Sequence, residues 1–228
     1  MVKIIAELCS NIGDHSWDFD AFCRAAALAG ATDAKVQLWR TEMYPEAMHE
    51  AKRRYEFPRR LLPHFVQTAH LHGLAAGASV FDEEAVDLAA RHCDWLKLAA
   101  REQDNEDLII SSFESGKFVY RSISNFSSER ICLSTYHMPL FTIQKYPTGM
   151  MSALICLFKV WRYWRGTIWG WSSHTAAPGW RDCALAARLG AQVVEKHLAL
   201  DPSDIEAGHS LLQYEFKRMV EEVKRWAR

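Results

Sequence analysis

The chain has 228 residues and a mass of 26.1 kDa, the size of one domain or at most two small ones. Hydrophobic residues make up 49% and charged residues 24%, and Lys+Arg of 27 against Asp+Glu of 28 leaves a formal net charge of -1. That balance excludes a protein living on phosphate-backbone electrostatics, and no apolar run approaches the roughly 20 residues that span a bilayer, so nucleic acid and membrane are set aside as partners.

The segment Met1-Val2-Lys3-Ile4-Ile5-Ala6-Glu7 carries an acid where a signal peptide would be apolar, and reads as the first strand, Lys3–Leu8. A helix follows over Asp18–Ala29 with a stop at Gly30, then a second strand over Ala34–Leu38. A long polar, basic section leads to a helix near Leu61–His72, ended by Gly73, and a third strand over Leu74–Val80. Asp82–Arg91 is helical with Asp82 as N-cap and Glu83 and Glu84 in the first turn, where acids meet the positive end of the helix dipole. Trp95–Leu98 is a fourth strand, Glu106–Ser115 a helix and Lys117–Ser122 a fifth strand. Ser124–Met138 has no clean period and reads as a short helix or an irregular strand. A sixth strand is expected at Leu140–Gln144, a helix at Met150–Trp161, a seventh strand at Thr167–Trp171 and a helix at Arg181–Leu189. Gln192–Leu198 is the eighth strand and Tyr214–Trp226 the closing amphipathic helix.

Strands alternating with helices imply an α/β fold with a parallel sheet. There is no G-x-G-x-x-G after strand one and no P-loop, and polar residues end nearly every strand: Glu7, Lys35 and Gln37, Ser79, Lys97, Ser122, Gln144, Ser172 and His174, Glu195 and His197. Lys35/Gln37, Ser172/His174 and Glu195/His197 are spaced by two, so both members of each pair can face one side. A doubly wound sheet would gather such residues at its switch point. A single-domain (β/α)8 TIM barrel, with one mouth at the C-terminal strand ends, accounts for all of them.

Six cysteines (Cys9, Cys23, Cys93, Cys132, Cys156, Cys183) are dispersed without C-x-x-C, which reads as buried thiols in a reducing cytoplasm. Of ten histidines, His64, His70, His72 and His92 fall on helices or their ends, while His15, His49, His137 and His209 fall in loops and carry no ranking. His174 and His197 lie at the ends of neighbouring strands, where two imidazoles either hold a divalent metal or hydrogen-bond as ordinary pocket residues. Lys35, Lys97, Ser79, Ser122 and Ser172 share that mouth. Two lysines with three hydroxyls suit a phosphate, unless the lysines merely pair with Glu7, Glu102 or Glu195. Lys159–Arg165 mixes bases and aromatics, but with balanced net charge it reads as packing of the outer layer. The final helix interleaves Glu215, Glu221 and Glu222 with its basic residues, a solvated face.

Several segments together resemble the N-acetylneuraminate (sialic acid) synthase family. They are Ile4-Ile5-Ala6-Glu7 with Ser10-Asn11 and Gly13-Asp14; Ala34-Lys35-Val36-Gln37; Ala78–Asp87; Leu96-Lys97-Leu98-Ala99; Tyr146-Pro147-Thr148; Gly170–Thr175; Glu195–Asp201; and Ser210-Leu211 with Glu215-Phe216. The resemblance implies a barrel enzyme condensing phosphoenolpyruvate with an N-acetylated aldose, N-acetylmannosamine-like, to a 2-keto-3-deoxy sugar acid with release of phosphate. It implies manganese or magnesium on His174 and His197, the former thereby catalytic, and phosphoenolpyruvate on Lys35, Ser79, Lys97, Ser122 and Ser172. It places Glu7, Glu102 and Gln144 among acid/base and sugar-contacting groups, with Gln37 and Tyr146 at the same mouth.

The chain departs from the family pattern at Ile12, Ser173 and Ala100, and its acid past strand eight is Glu206 in a shortened loop. Typical members add a C-terminal antifreeze-like domain that reaches a partner's site; the sequence stops at Arg228, so the expectation is one barrel over residues 1–228, with a homodimer left open. Two alternatives follow: a non-catalytic or regulatory barrel that retains ligand binding, and a Schiff-base aldolase using Lys97 or Lys35.

Overall fold

Eight parallel strands pair in sequence order, and the first closes onto the eighth through Lys3↔Val193 to Glu7↔His197. They are β1 (Lys3–Glu7), β2 (Asp33–Gln37), β3 (Ala75–Val80), β4 (Trp95–Leu98), β5 (Phe118–Ile123), β6 (His137–Thr142), β7 (Gly170–Ser173) and β8 (Val193–Ala199). A two-residue strand, β9 (Leu211–Leu212), pairs in parallel with the end of β8 at Leu198 and Ala199. The structure, a computed structural model, describes residues 2–124 and 137–227. The aperiodic expectation over Ser124–Met138, the short helix or irregular strand within it and Cys132 lie wholly or mostly outside the described residues.

The helices are α1 (Asn11–Asp14), α2 (Phe19–Ala29), α3 (His49–Arg53), α4 (Leu62–Leu71), α5 (Glu83–His92), α6 (Glu106–Glu114), α7 (Met150–Trp164), α8 (Arg181–Arg188) and α9 (Gln213–Trp226). Three of them, α2, α5 and α6, start at short polar side chains that accept orphan backbone N–H groups: Asp18 from Ala21, Asp82 from Ala85 and Asn105 from Leu108. No helix among the described residues is long and apolar enough to cross a membrane.

Strand alternation sorts the core into layers. Ile4, Ala6, Ala34, Val36, Leu96, Val194 and Leu198 face outward and pack with the helices. Ile5, Trp95, Tyr120, Met138, Leu140 and Val193 fill the barrel's N-terminal interior. Gly77 is required there, because a Cβ on it would come within 2.3 Å of the Trp95 ring.

Two strands shift from expectation. The sixth ends at Thr142, so Gln144 lies beyond the ladder, and the seventh begins at Gly170, whose partners are Leu140 and Val193. Trp169 packs instead with the outer cluster of α7, which runs three residues past the expected Trp161. The basic section after β2 holds α3 and three short 3-10 turns. Cys9, Cys23, Cys93, Cys156 and Cys183 are free and buried, as expected.

Candidate active site

Because β8 alternates, Glu195 and His197 point into the barrel while Lys196 points out. Parallel register then sets neighbours side by side: Glu7 beside Lys35 and His197, Ser79 beside Lys97, and Ser172 beside Glu195. These side chains meet in a cavity of about 450 Å³ at the C-terminal strand ends. Its lining includes Glu7, Lys35, Gln37, Ser79, Lys97, Ser122, Gln144, Tyr146, His174 and His197. Ser172 is buried and does not line the cavity itself; it donates to Glu195 at 2.8 Å and accepts from Lys97 at 3.4 Å.

Glu102 does not join them. It occupies a 3-10 turn, Ala100–Glu102, paired with Arg101 at 3.1 Å and accepting from Asn105 at 3.3 Å. A turn after β4 has no strand period to aim its side chain, and it is Arg101 that lines the cavity.

Both inner lysines are ion-paired. Lys35, 1% exposed, bonds Glu7, donates to Ser79 at 2.6 Å and lies 3.7 Å from Glu195. Lys97 bonds Glu195 at 2.5 Å. Burial disfavours every one of these charges, and the pairing decides which survive. Burial raises Glu7 to about 7, with Lys35 pulling the other way and Glu195 adding to the rise. For Glu195, Lys35 and Lys97 together outweigh burial, aided by hydrogen bonds from Lys97 and Ser172, and hold it well below the usual carboxylate range. Against burial, Glu195 and Glu7 lift Lys35 above its ordinary value. Lys97 falls below its ordinary value through burial, with Glu195 opposing.

The imidazoles cluster around Tyr146. Its ring centroid is 4.1 Å from His174, 5.2 Å from His209 and 6.4 Å from His197. His174 Nδ1 faces the Ile143 carbonyl at 2.9 Å and the Thr142 hydroxyl at 3.1 Å. Burial pushes His197 and His209 down to about 3 and His174 well below its ordinary range. All three are therefore neutral at pH 7 and offer lone pairs. His174 and His197 lie 5.5 Å apart by ring centroid, near enough to face a common ligand. Among the described residues, the group whose donor atoms all fall within 4.8 Å of one another is His197, Glu206 and His209. Imidazole nitrogens with a carboxylate are a fitting donor set for a divalent ion.

Glu206 and His209 come from the loop after β8, and the opposite end of the sequence holds that loop in place. Asn11 accepts from the Glu206 N–H at 2.8 Å and donates to Leu198 O and Ser210 Oγ. Ser10 N–H donates to Glu206 Oε2 at 2.8 Å, Asp14 accepts from Ile205 N–H, and His15 pairs with Asp204 at 2.7 Å. Ile12, one of the departures, is fully buried in the outer core.

Outside the barrel wall a second buried network frames His174. Lys196 donates to Thr175 O at 2.8 Å, Thr175 Oγ1 at 3.1 Å and Ser173 Oγ at 3.3 Å, gripping the residues on both sides of His174. Asp182 accepts from Thr175 Oγ1 at 3.2 Å and Trp171 Nε1 at 2.8 Å. Ser173, another departure, is thus a hydroxyl within a network whose carboxylate comes from α8.

Ala100 and Glu206, two positions where the sequence departs from the family pattern, line the cavity too, and so do residues not singled out from sequence: Tyr44, Lys52, Phe81, Arg101, Thr142 and His209. Lys52 lies 4.6 Å and Arg101 5.2 Å from the Tyr44 ring, a cationic and aromatic rim on the outer mouth. Thr142 lies two residues before Gln144, so strand alternation gives it the same face; the others sit in turns and loops, which have no period.

Comparison with solved structures gives the same fold. N-acetylneuraminic acid (sialic acid) synthetase from Leptospira borgpetersenii superposes with a TM-score of 0.86 at 22% identity, covering 99% of this chain and 83% of that one. A spore coat polysaccharide biosynthesis protein from Bacillus subtilis gives 0.81 at 23%, covering 99% and 68%. A truncated 3-deoxy-D-arabino-heptulosonate 7-phosphate synthase from Thermotoga maritima gives 0.70 at 15%, covering 98% and 86%. No curated protein matches by sequence. The family model of the NeuB family matches residues 22–228, nearly the whole barrel including every strand from β2 onward, and the chain belongs to that family.

Proposed function

We propose that the chain condenses phosphoenolpyruvate with an N-acetylated aldose of the N-acetylmannosamine type, forming a 2-keto-3-deoxy sugar acid and releasing phosphate. The observation that carries this reading is the meeting of two buried lysines, the Ser79 and Ser122 hydroxyls and buried imidazoles in one cavity, with Ser172 bonded to the Lys97–Glu195 pair. A phosphate and a carboxylate on one small substrate need several donors around a compact positive charge, and Lys35, Lys97, Ser79, Ser122 and Ser172 supply them. Family membership and the sugar-acid synthases among the structural neighbours point the same way.

In this reading the incoming anion competes with Glu7 and Glu195 for the lysines. Glu7, held near pH 7, takes up a proton as the anion binds and can return it at Oε1 or Oε2 during turnover. Carbon–carbon bond formation joins C3 of phosphoenolpyruvate to the aldehyde carbon, leaving positive charge at C2. Glu195, which stays ionised, stabilises that charge beside it. Water adds at C2, and C–O cleavage then expels phosphate. A divalent ion at the imidazoles, manganese or magnesium, would supply Lewis-acid polarisation of the aldehyde oxygen. His174, fixed by Thr142 and Ile143, and His197 would hold it. Tyr146, Gln144 and Gln37 line the side on which the sugar would enter, and Glu102 lies outside it.

The Schiff-base alternative is disfavoured at Lys35, which Glu195 and Glu7 hold above its ordinary value, while Lys97, lowered by burial, is the lysine that the trapping experiment tests. The test is phosphate release from phosphoenolpyruvate with Mn²⁺ across a panel of aldoses, beside borohydride trapping with pyruvate. Release with an N-acetylated hexose and no trapped adduct is expected. Binding of phosphoenolpyruvate without release on any sugar would instead identify a non-catalytic barrel, and a trapped lysine adduct an aldolase.

A further inference from the structure

We infer that His209 and Glu206 join His197 as direct ligands of the divalent ion, so that the site selects a first-row transition ion over magnesium. This deepens the metal part of the function proposed above and rests on the chain binding an ion at that mouth.

The first observation is proximity: one ligand atom from each of His197, Glu206 and His209 lies within 4.8 Å of the other two. Two ligands on opposite sides of an ion, each bonded at about 2.1 Å, are about 4.2 Å apart. Small side-chain rotations therefore close the set. The second observation is independent of the first. His209 is 8% exposed, and its Nε2 is a buried polar atom with no hydrogen-bond partner. A buried imidazole nitrogen left unpaired costs free energy that a ligand would recover. Its ring stands 4.7 Å from that of His197, centroid to centroid, on the cavity wall.

The third observation is preorganisation. Glu206 is fixed at its backbone by Asn11 and at its carboxylate by Ser10 N–H, and Ser210 Oγ donates to its carbonyl at 2.7 Å. A ligand loop anchored to a segment nearly two hundred positions away in sequence is held ready rather than assembled by the ion. The His197 ring meets the Glu206 carboxylate at 2.9 Å, so the two already share a direction. His174 stands farther off, 6.4 Å from His209 by centroid, with one nitrogen engaged by Ile143 and Thr142. It can add a further imidazole from the opposite side.

A donor set of two or three imidazoles and one carboxylate sets the ion's class. Nitrogen ligands favour ions from manganese to zinc, following the general affinity order, whereas magnesium asks for an oxygen octahedron and keeps its waters.

The experiment is calorimetric titration of the chelator-stripped full chain with Mn²⁺, Co²⁺ and Mg²⁺, with the visible absorption of the Co²⁺ form recorded. The variants are His209→Ala, Glu206→Gln and His174→Ala, each checked for wild-type melting. Mn²⁺ and Co²⁺ are expected to bind at least ~10-fold more tightly than Mg²⁺. His209→Ala should lose about 100-fold or more of Co²⁺ affinity, beyond the 10–100-fold typical of removing a group that merely orients a ligand. The Co²⁺ absorption bands should also shift. Unchanged affinity and spectrum in His209→Ala, equal binding of Mg²⁺, or no ion binding at all would overturn the inference. Should His209→Ala lose melting, His209→Asn and Glu206→Gln carry the same test. An ion held through His209 in a chain that releases no phosphate would sink the proposed reaction and leave this inference standing. Phosphate release with ion binding indifferent to His209 would do the reverse.

Discussion

The two ends of the barrel are both hollow, and the larger hollow is at the wrong end for chemistry. At the N-terminal end a cavity of about 710 Å³ is lined by Trp95, Phe118, Tyr120 and Met138, with Lys3, Asp94 and Arg188 at its edge. At the C-terminal end the smaller cavity of about 450 Å³ holds three glutamates, three lysines and three histidines. The first end is a packing solution: rings meet edge to face, Trp95 with Tyr120 at 4.9 Å, and Trp95 Nε1 finds Asp33. The second concentrates groups that burial penalises, and those groups tolerate burial only because each charge faces another. Volume alone would select the wrong end; the desolvated charges select the mouth.

Substitutions should sharpen this contrast. The largest effect is expected for Lys97→Met, which removes the partner of Glu195 and a donor for the phosphate. Activity should fall by ~1000-fold or more, and stability by about 3–5 kcal/mol, the range for breaking a buried pair. Denaturant melts beside phosphate-release kinetics check both. Residual activity within tenfold of wild type would mean that Lys97 is structural only. Next comes Lys196→Met, which removes the three hydrogen bonds donated to Ser173 and Thr175 on either side of His174; a loss of about 3 kcal/mol is expected in the same melts.

Acid should weaken the mouth more than the floor. His197 and His209 stay neutral down to about 3 in the folded chain, whereas an unfolded histidine protonates near 6.5. Their contribution is therefore complete above pH 6.5 and is lost as pH falls toward 3, by about 1.4 kcal/mol per pH unit for each histidine. Glu7 and Glu206, raised to about 7, act in the opposite sense, since their contribution fades as pH rises from 4.5 to 7. His209→Gln should reduce the slope between pH 6 and 4 by about one proton, measured by melts across pH. An unchanged slope would place that histidine in contact with water. The smallest effect belongs to the other end: Met138→Leu, a volume-conserving swap in the floor, should cost under about 1.5 kcal/mol and leave kcat/KM within twofold.

The barrel and most of its mouth were legible in the sequence because strands carry a period. Once β8 is a strand, Glu195 and His197 must share a face, and Lys35, Ser79 and Lys97 follow by the same rule on theirs. Glu102 had no such rule behind it, since a 3-10 turn aims its residues by local contacts, and it lies outside the cavity lining. His209 carried no ranking and Glu206 entered only as the acid past strand eight, because their placement depends on Ser10, Asn11 and Asp14, contacts between the two ends of the chain. The outer rim of Tyr44, Lys52 and Arg101 likewise joins segments that no local pattern connects.

The central claim is that the mouth with its buried charges, and not the larger hollow at the N-terminal end, receives phosphoenolpyruvate. A crystal structure of the full chain with phosphoenolpyruvate and Mn²⁺ tests it directly. The predicted result is substrate at the C-terminal mouth, its phosphate or carboxylate hydrogen-bonded to Lys97, Lys35 and the Ser79 and Ser122 hydroxyls. Phosphoenolpyruvate seated among Trp95, Phe118 and Arg188, with the Lys–Glu pairs of the mouth undisturbed, would contradict it.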